Sequence, residues 1–304
     1  MANSFTDWEG TCLVHHGIKG QKWGVRNGPP YPLDEFTSAK VRMKSVHGSF
    51  SGNSKIDYKE RFIHDKETFS SLKKRSKNSD VAKIRSDINH ADDEGAYSDV
   101  GRDYNCPFCA AAFDMVERGY DVRARTAPDG SNVGDIESFY KNGKLSKTES
   151  SSEIGSMVYP KMNKSAFEKA RFSFQRKIML DKLDAARNKY EQKVQVFQTQ
   201  AINNLMSNIR SENDGARGII VVGWRLDHDL SNRTRAYHAL NYKVESGKVV
   251  FYDAQSSRSW KQNGYTDTNW LYGCDPRELY HMRTDTLEPS SDVLNAVYSY
   301  RGAK

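Results

Sequence analysis

The stretch Asp103–Arg125, DYNCPFCAAAFDMVERGYDVRAR, decides how the rest of the chain is interpreted. From Cys106 to Arg118 the apolar residues recur at helical spacing, and Gly119 follows where helices commonly end in a residue with positive φ. The next residues, YDVRAR, alternate as in a β-strand. The stretch therefore predicts a helix with two cysteines, Cys106 and Cys109, in its first turn, and a strand directly after it.

Two cysteines at this spacing suit a zinc half-site, a dithiol redox pair, or a nucleophilic cysteine with an incidental neighbour. A structural zinc site needs a second close pair of ligands, but Cys274 is solitary and its nearest histidine is His281. The segment CPFC locally resembles the glutaredoxin active site, in which a helix N-terminus lowers the pKa of the first thiol. That fold requires a buried strand just before the motif, whereas the residues here, NHADDEGAYSDVGRDYN, are nearly all polar.

A nucleophilic cysteine requires a base and an orienting acid elsewhere in the chain. His238 follows Cys106 at the separation of roughly 130–150 residues typical of one class of cysteine hydrolases. It opens the first strand of a hairpin predicted over Ala236–Gln255, and Asp253 closes the second strand. Because ESGK joins the two strands in a tight turn, both ends lie side by side. The order Cys, His, Asp therefore favours a catalytic triad over a structural histidine.

The same residues carry a resemblance to a known family. The Asn105–Cys106 pair, RGYDVRA, GARGIIVVGW and HALNYKVESGKVVFYDAQS resemble the papain-fold toxin domains of polymorphic bacterial toxins and phage-carried effectors. The likeness covers about 95 to 290 and includes YHMRTDTLEPS. It implies a cysteine peptidase or glutamine deamidase in which Cys106 is the nucleophile, His238 the base and Asp253 the orienting acid. No metal or other cofactor is expected.

The resemblance also implies residues that line the substrate site. Asn105 and Gln255 occupy positions beside the nucleophile and the acid, and Tyr237 precedes the base where the family usually has a small residue. We expect all three to contact substrate, and Tyr237 to narrow the cleft. The implied fold is α+β and papain-like, with the nucleophile helix packed on a C-terminal antiparallel sheet.

Two regions fall outside a minimal domain of this kind. Residues 163–212 hold no Pro or Gly and predict a long helix or helical hairpin, inserted in a domain that spans residues 93–304. Residues 1–92 are polar, with Gly, Pro and Ser clusters, and predict a basic arm that adds little to the core. Ser131–Asn142 predicts a second helix, and SSDVLNAVYSY near the C-terminus a closing helix.

Within the arm, residues 13–27 (LVHHGIKGQKWGVRN) resemble a Gly-Lys-Trp-Gly motif of tailed-phage head-associated proteins. The resemblance implies phage origin and predicts carriage in the virion, followed by action in the host bacterial cytoplasm. A host protein is the expected substrate, and residues 13–27 are expected to contact a phage capsid or portal protein. A virion structural or cargo protein that keeps the fold without catalysis is the alternative, and a glutaredoxin-like dithiol protein a further one.

The composition is that of a basic, polar protein without apolar runs long enough to span a membrane. The chain has 304 residues, a net charge of +7 and 37% hydrophobic residues. That charge is compatible with weak nucleic-acid contact through the arm or with an acidic partner. Four unevenly spaced cysteines indicate reduced thiols rather than a disulfide framework. The N-terminus has no signal-peptide pattern, and no apolar run reaches the length of a membrane span.

Overall fold

The computed structural model describes residues 68–89, 105–125, 133–225, 228–231, 235–256 and 259–299, except for the side chains of Arg235, Ser259 and Trp260. The motif at 13–27 and most of the predicted arm lie outside these residues. The helices are α1 (Val81–Ser86), α2 (Cys106–Glu117), α3 (Asp135–Ser138), α4 (Lys164–Lys169), α5 (Ser173–Arg210) and α6 (Ser259–Gln262). The strands are β1 (Val122–Ala124), β2 (Ser146–Lys147), β3 (Arg217–Arg225), β4 (Arg235–Glu245), β5 (Lys248–Tyr252), β6 (Cys274–Arg283) and β7 (Val297–Ser299). Among these residues, no helix is long and apolar enough to cross a membrane.

A five-stranded antiparallel sheet with the order β2-β6-β3-β4-β5 forms the centre of the domain, and β1 pairs with β7 in a separate two-stranded sheet. Helix α2 packs on one face of the larger sheet, and the C-terminal half of α5 packs on the other. Strand β3 lies in the middle, so it is covered on both faces. This explains its uninterrupted β-branched run, in which Ile219 and Val221 contact the α2 side while Ile220 and Val222 contact the α5 side.

The β4–β5 hairpin forms as its sequence predicts. Ser246 and Gly247 both have positive φ, 52° and 73°, as the tight two-residue turn between these strands requires. Helix α2 likewise matches its prediction, and Gly119 ends it with a φ of 93°. The helix and the antiparallel sheet confirm the α+β class.

Small side chains bring α2 close to the sheet. Ala110, Ala111 and Ala112 are fully buried, so the helix meets the strands with little side-chain volume between them. Asp114, in the next turn, accepts hydrogen bonds from Arg217 and Thr284, which hold the helix to β3 and to the end of β6. The position of α2 relative to the sheet is therefore fixed by both packing and polar contacts.

The long helical region is one helix with a short helix before it, rather than a hairpin. Asn163 caps α4 by accepting a hydrogen bond from the Ala166 N–H at 3.0 Å. The part of α5 that packs on the core begins at Tyr190, whereas its N-terminal part projects apolar side chains into solvent, with Phe174 60% and Ile178 47% exposed. Only the C-terminal half of this helix therefore covers the sheet.

Residues 68–89 correct the predicted boundary at residue 92. Leu72, Ile84 and Ile88 are buried in the same apolar cluster as α2. The backbone joins the domain as well, since the Arg75 N–H donates to the Gly119 carbonyl and the Ala124 N–H to the Ile88 carbonyl. The three apolar residues are too sparse to signal a core in the sequence, but all of them face inward. This part of the predicted arm is a part of the domain.

Two further predictions differ from the structure. The predicted second helix is reduced to the four residues of α3, with part of its range outside the described residues. The predicted closing helix is a 3₁₀ helix (Ser291–Asn295) followed by strand β7. Val297 and Ser299 in β7 are β-branched or small residues that pair with β1, and this pairing overrides the helical pattern.

Candidate active site

Cys106 is the first residue of α2, and its thiol lies at the positive end of the helix dipole. The N–H groups of Phe108 and Cys109 donate to the Asn105 carbonyl at 2.8 and 3.0 Å. Pro107 has no N–H, and the Cys106 N–H is at a helix position without an intrahelical acceptor. The backbone beside the thiol therefore presents one N–H donor in the first two positions of the helix.

His238 and Asp253 come together because β4 continues beyond the paired end of β5. The last pair of the hairpin is Asn241 with Tyr252, so His238 lies past that pair, and Asp253 follows Tyr252 directly. The distance from His238 Nε2 to Asp253 Oδ2 is 3.1 Å, and both side chains are 1% exposed. The Cys106 side chain lies close enough to His238 for the two groups to interact. The structure thus brings the three predicted triad residues into one cluster.

The charge state of His238 follows from its neighbours. Burial alone lowers the pKa of a histidine, but the Asp253 carboxylate raises it through its charge and its hydrogen bond, and contact with Cys106 raises it further. The net effect raises the pKa of His238 from 6.5 to about 10. The ring therefore holds its proton and is positively charged at neutral pH. Cys106 is 5% exposed, so the thiol is the most accessible of the three groups.

The loop that carries Asp253 is held by α6. The Asp253 N–H donates to the Lys261 carbonyl at 3.0 Å, and the Asp253 carbonyl accepts from the Ser256 N–H at 3.2 Å. The Gln262 side chain donates to the Ser256 carbonyl at 2.6 Å. These bonds fix the carboxylate at the end of β5, where it can orient the imidazole.

Asn241 sets the distance between the nucleophile helix and the strand of the base. Its side-chain Nδ2 donates to the Ala110 carbonyl, one turn into α2, at 3.0 Å. Asn241 lies on β4 three residues after His238, and it is 2% exposed. Sequence reasoning missed this residue, although an Asn among the apolar residues of a buried strand is the signal that would find it.

Asn105 and Gln255 lie beside the triad, but their amides are engaged with the protein. Asn105 is fully buried and donates to Asn89 Oδ1 at 3.0 Å and to the Arg125 carbonyl at 2.9 Å. Its Oδ1 accepts from Gln255 Nε2 at 3.3 Å and from Cys109 Sγ at 3.3 Å. These contacts give both residues a place in the scaffold of the site, and their contact with substrate stays a prediction.

Tyr237 points across the sheet. Its ring lies over Gly223 on β3, where a Cβ would be 3.0 Å from Tyr237 Cε1. Its hydroxyl donates to Glu278 Oε2 on β6 at 3.2 Å. A side chain at position 223 would therefore crowd the Tyr237 ring, which explains the glycine there. Tyr237 is half-buried and directly precedes the base in sequence. Its predicted role in narrowing the cleft is not tested by this arrangement.

The remaining described cysteines are buried thiols. Cys109 is 1% exposed, and Cys274 is fully buried, where burial raises the pKa of its thiol well above the ordinary range. Cys106 and Cys109 are not joined in a disulfide. Within the described ranges, no three His, Cys, Asp or Glu side chains are grouped to hold a metal ion.

A buried helix that presents a cysteine at its N-terminus to a histidine–carboxylate pair on an antiparallel sheet defines a papain-like arrangement. Comparison with protein families agrees, because residues 104–258 match the family described as papain fold toxin 1, glutamine deamidase. The match covers just over half of the chain, and the chain belongs to this family. Searches of curated proteins and of solved structures gave no match.

Proposed function

We propose that the protein is a cysteine amidohydrolase that deamidates glutamine side chains of a protein in the host bacterium. The observation that carries the proposal is the buried His238–Asp253 pair within reach of the Cys106 thiol at a helix N-terminus. Membership of a family described as glutamine deamidases favours a side-chain amide over a peptide bond as the substrate. Cys106 is assigned as the nucleophile, His238 as the proton carrier and Asp253 as the group that orients it.

In the first half-reaction, the Cys106 thiolate attacks the carboxamide carbon of the glutamine side chain. The negative charge that develops on the carbonyl oxygen is stabilised by the Cys106 N–H, which the helix leaves without an acceptor. His238 binds Asp253 through Nε2, so Nδ1 is the nitrogen that gives its proton to the departing amine. Ammonia leaves, and a thioester between Cys106 and the substrate remains.

In the second half-reaction, water replaces ammonia. The now neutral His238 takes a proton from the water, which attacks the thioester carbonyl. The C–S bond breaks, the thiolate and imidazolium are restored, and the substrate leaves with glutamate in place of glutamine. Asp253 keeps its charge throughout and stabilises the imidazolium in both halves.

The test is deamidation of host proteins by the purified full-length chain. Wild-type protein and Cys106→Ser are incubated with a soluble extract of host bacteria, and glutamine-to-glutamate changes are mapped by peptide mass spectrometry. We expect a small set of sites that change with wild type and not with Cys106→Ser. New peptide termini in place of deamidation would make the enzyme a peptidase, and the absence of either change would favour a non-catalytic virion protein.

For delivery, we propose that the protein travels in the phage particle, held by residues 13–27 on a capsid or portal protein, and acts in the host cytoplasm. The support is the Gly-Lys-Trp-Gly resemblance of this segment. A peptide docked through Ile18, Trp23 and Val25 depends on apolar contact, whereas weak nucleic-acid binding by the basic arm depends on phosphate contacts that salt disrupts.

Mass spectrometry of purified particles tests this proposal. We expect the protein in wild-type particles and its loss when residues 13–27 are deleted. Trp23→Ala is expected to reduce packaging more than neutralising Lys19 and Lys22 together. Normal packaging without the segment would overturn the assignment of residues 13–27 to docking.

A further inference from the structure

Residues 68–89 lie upstream of the family match, which begins at residue 104, yet their last described residue touches both halves of the proposed site. Asn89 Nδ2 donates to the Gln255 carbonyl at 3.3 Å. Asn89 Oδ1 accepts from Asn105 Nδ2 at 3.0 Å. Asn105 directly precedes Cys106, and Gln255 comes two residues after Asp253. One side chain therefore joins the nucleophile loop to the loop of the acid.

The arrangement is a closed ring of three hydrogen bonds among three residues. Gln255 Nε2 donates to Asn105 Oδ1 at 3.3 Å, so Asn89, Asn105 and Gln255 are each bonded to the other two. Asn89 and Asn105 each use both the donor and the acceptor of one carboxamide, whereas Gln255 donates through its side chain and accepts through its backbone carbonyl. Truncation of the Asn89 or the Asn105 side chain breaks two of the three bonds.

The segment that carries Asn89 is itself anchored on both sides of the site. Arg85 Nε donates to Glu117 Oε1 at 3.0 Å, at the far end of α2, and its guanidinium lies 4.8 Å from the ring centroid of Tyr252. Gln262 Nε2 donates to the Ser86 carbonyl at 3.3 Å, from the helix that holds the Asp253 loop. Asn89 is thus supported by contacts to both elements that it connects.

We propose that Asn89 is a positioning residue for the deamidation reaction, which keeps the Cys106 thiol in register with the His238–Asp253 pair by bridging Asn105 and Gln255. The inference rests on the proposed function, because it concerns the geometry of the same site. The proposal gives residues 68–89, which lie outside the family match at residues 104–258, a role in the active site.

The test uses Asn89→Ala and Asn89→Asp in the full-length chain, with Asn78→Ala as the control. Asn78 belongs to the same segment and is exposed to solvent. Asn89→Asp keeps the shape and the acceptor toward Asn105 but loses the donor toward the Gln255 carbonyl. A role in packing alone would therefore spare Asn89→Asp, and an effect of the new charge alone would spare Asn89→Ala.

The readout is the rate of Cys106 alkylation by iodoacetamide as a function of pH, followed by peptide mapping. Wild type is expected to react fast at about pH 6, where an ordinary thiol of pKa about 8.5 is almost fully protonated. We expect both Asn89 variants to react roughly tenfold more slowly there, the effect of losing one or two hydrogen bonds, and their profiles to move toward that of an ordinary thiol. Asn78→Ala should match wild type.

Each outcome bears on a definite claim. A thermal melt shows which variants are folded, and Asn89→Asp remains informative if Asn89→Ala does not fold. A folded Asn89→Asp with the wild-type profile would refute the role of Asn89 and leave the proposed function intact. A wild-type protein without fast alkylation at low pH would overturn the proposed function and, with it, the role of Asn89.

Discussion

The Asp253→Asn substitution tests the charge pair at the centre of the proposed mechanism. It removes the negative charge and leaves a side chain of the same shape. At the observed Nε2–Oδ2 distance of 3.1 Å, and with an effective dielectric constant of about 20, the attraction between the two charges is about 5 kcal/mol. An amide retains part of it as a neutral hydrogen bond. If half is lost, the thiolate–imidazolium form falls on the order of 100-fold relative to the neutral pair.

The assay is the alkylation rate of Cys106 at low pH, measured as for the Asn89 variants. Asp275→Asn is the matched control, because Asp275 is also buried and paired, in its case with Arg277 on the same strand. We expect Asp253→Asn to slow alkylation strongly and Asp275→Asn to leave it unchanged where the protein is folded. Equal rates for wild type and a folded Asp253→Asn would refute the electrostatic argument.

The same substitution predicts a pH dependence of stability. The folded-state pKa of His238 is raised to about 10 from 6.5, so the protonated ring stabilises the fold fully below about pH 6.5. This stabilisation is lost as the pH rises toward about 10, because the unfolded chain has then already released the proton. The difference in unfolding free energy between wild type and Asp253→Asn, measured by urea denaturation, should therefore be largest near pH 6 and shrink above neutrality. A difference that grows with pH would contradict the assignment.

Three further predictions follow from burial. Cys109→Ser should keep the low-pH alkylation of Cys106, since a hydroxyl can also donate to Asn105. Cys106→Ser should abolish this reaction. Equal loss of alkylation in both variants, together with an isolable disulfide between the two cysteines, would favour redox chemistry. Phe197→Ala should lower the free energy of unfolding, measured by urea denaturation, by about 3 kcal/mol or more, because Phe197 is only 8% exposed. Phe174→Ala should lower it by less than about 1 kcal/mol, because Phe174 is 60% exposed. Similar losses for both variants would mean that the start of α5 is covered. A chain that begins at residue 93 should melt far below one that begins at residue 68, since it loses three core residues; equal melting temperatures would restore the predicted boundary.

The elements that could be predicted are those in which local pattern and tertiary packing agree. The hairpin is specified by alternation and by Gly247, and α2 by apolar spacing and Gly119. The hairpin brings the strand ends that carry His238 and Asp253 near each other, because a tight turn joins the two strands. The contact itself also depends on α6, which holds the Asp253 loop beyond the last hairpin pair. These signals are local, and no information about distant segments is needed to interpret them.

The elements that could not be predicted depend on distant partners. Ile84 and Ile88 form part of the core only because α2 presents a complementary surface to them. Strand β7 has a helical pattern in sequence, and its pairing with β1 joins residues far apart in the chain. Asn89 and Asn241 are ordinary polar residues until the fold places their amides against Asn105 and Ala110.

Four side chains that bridge the elements of the site, Asn89, Asn105, Asn241 and Gln255, are all carboxamides. A full charge at about 6 Å from the imidazolium would change its energy by roughly 3 kcal/mol at an effective dielectric constant of about 20. Neutral amides fix the same distances through hydrogen bonds without that effect on the thiolate–imidazolium equilibrium. Arg125 fits this reasoning, since it serves Asn105 through its backbone carbonyl while its guanidinium donates to the Val297 carbonyl. The charge of His238 is thus left under the control of Asp253 and Cys106, and the surrounding amides determine only where these groups lie.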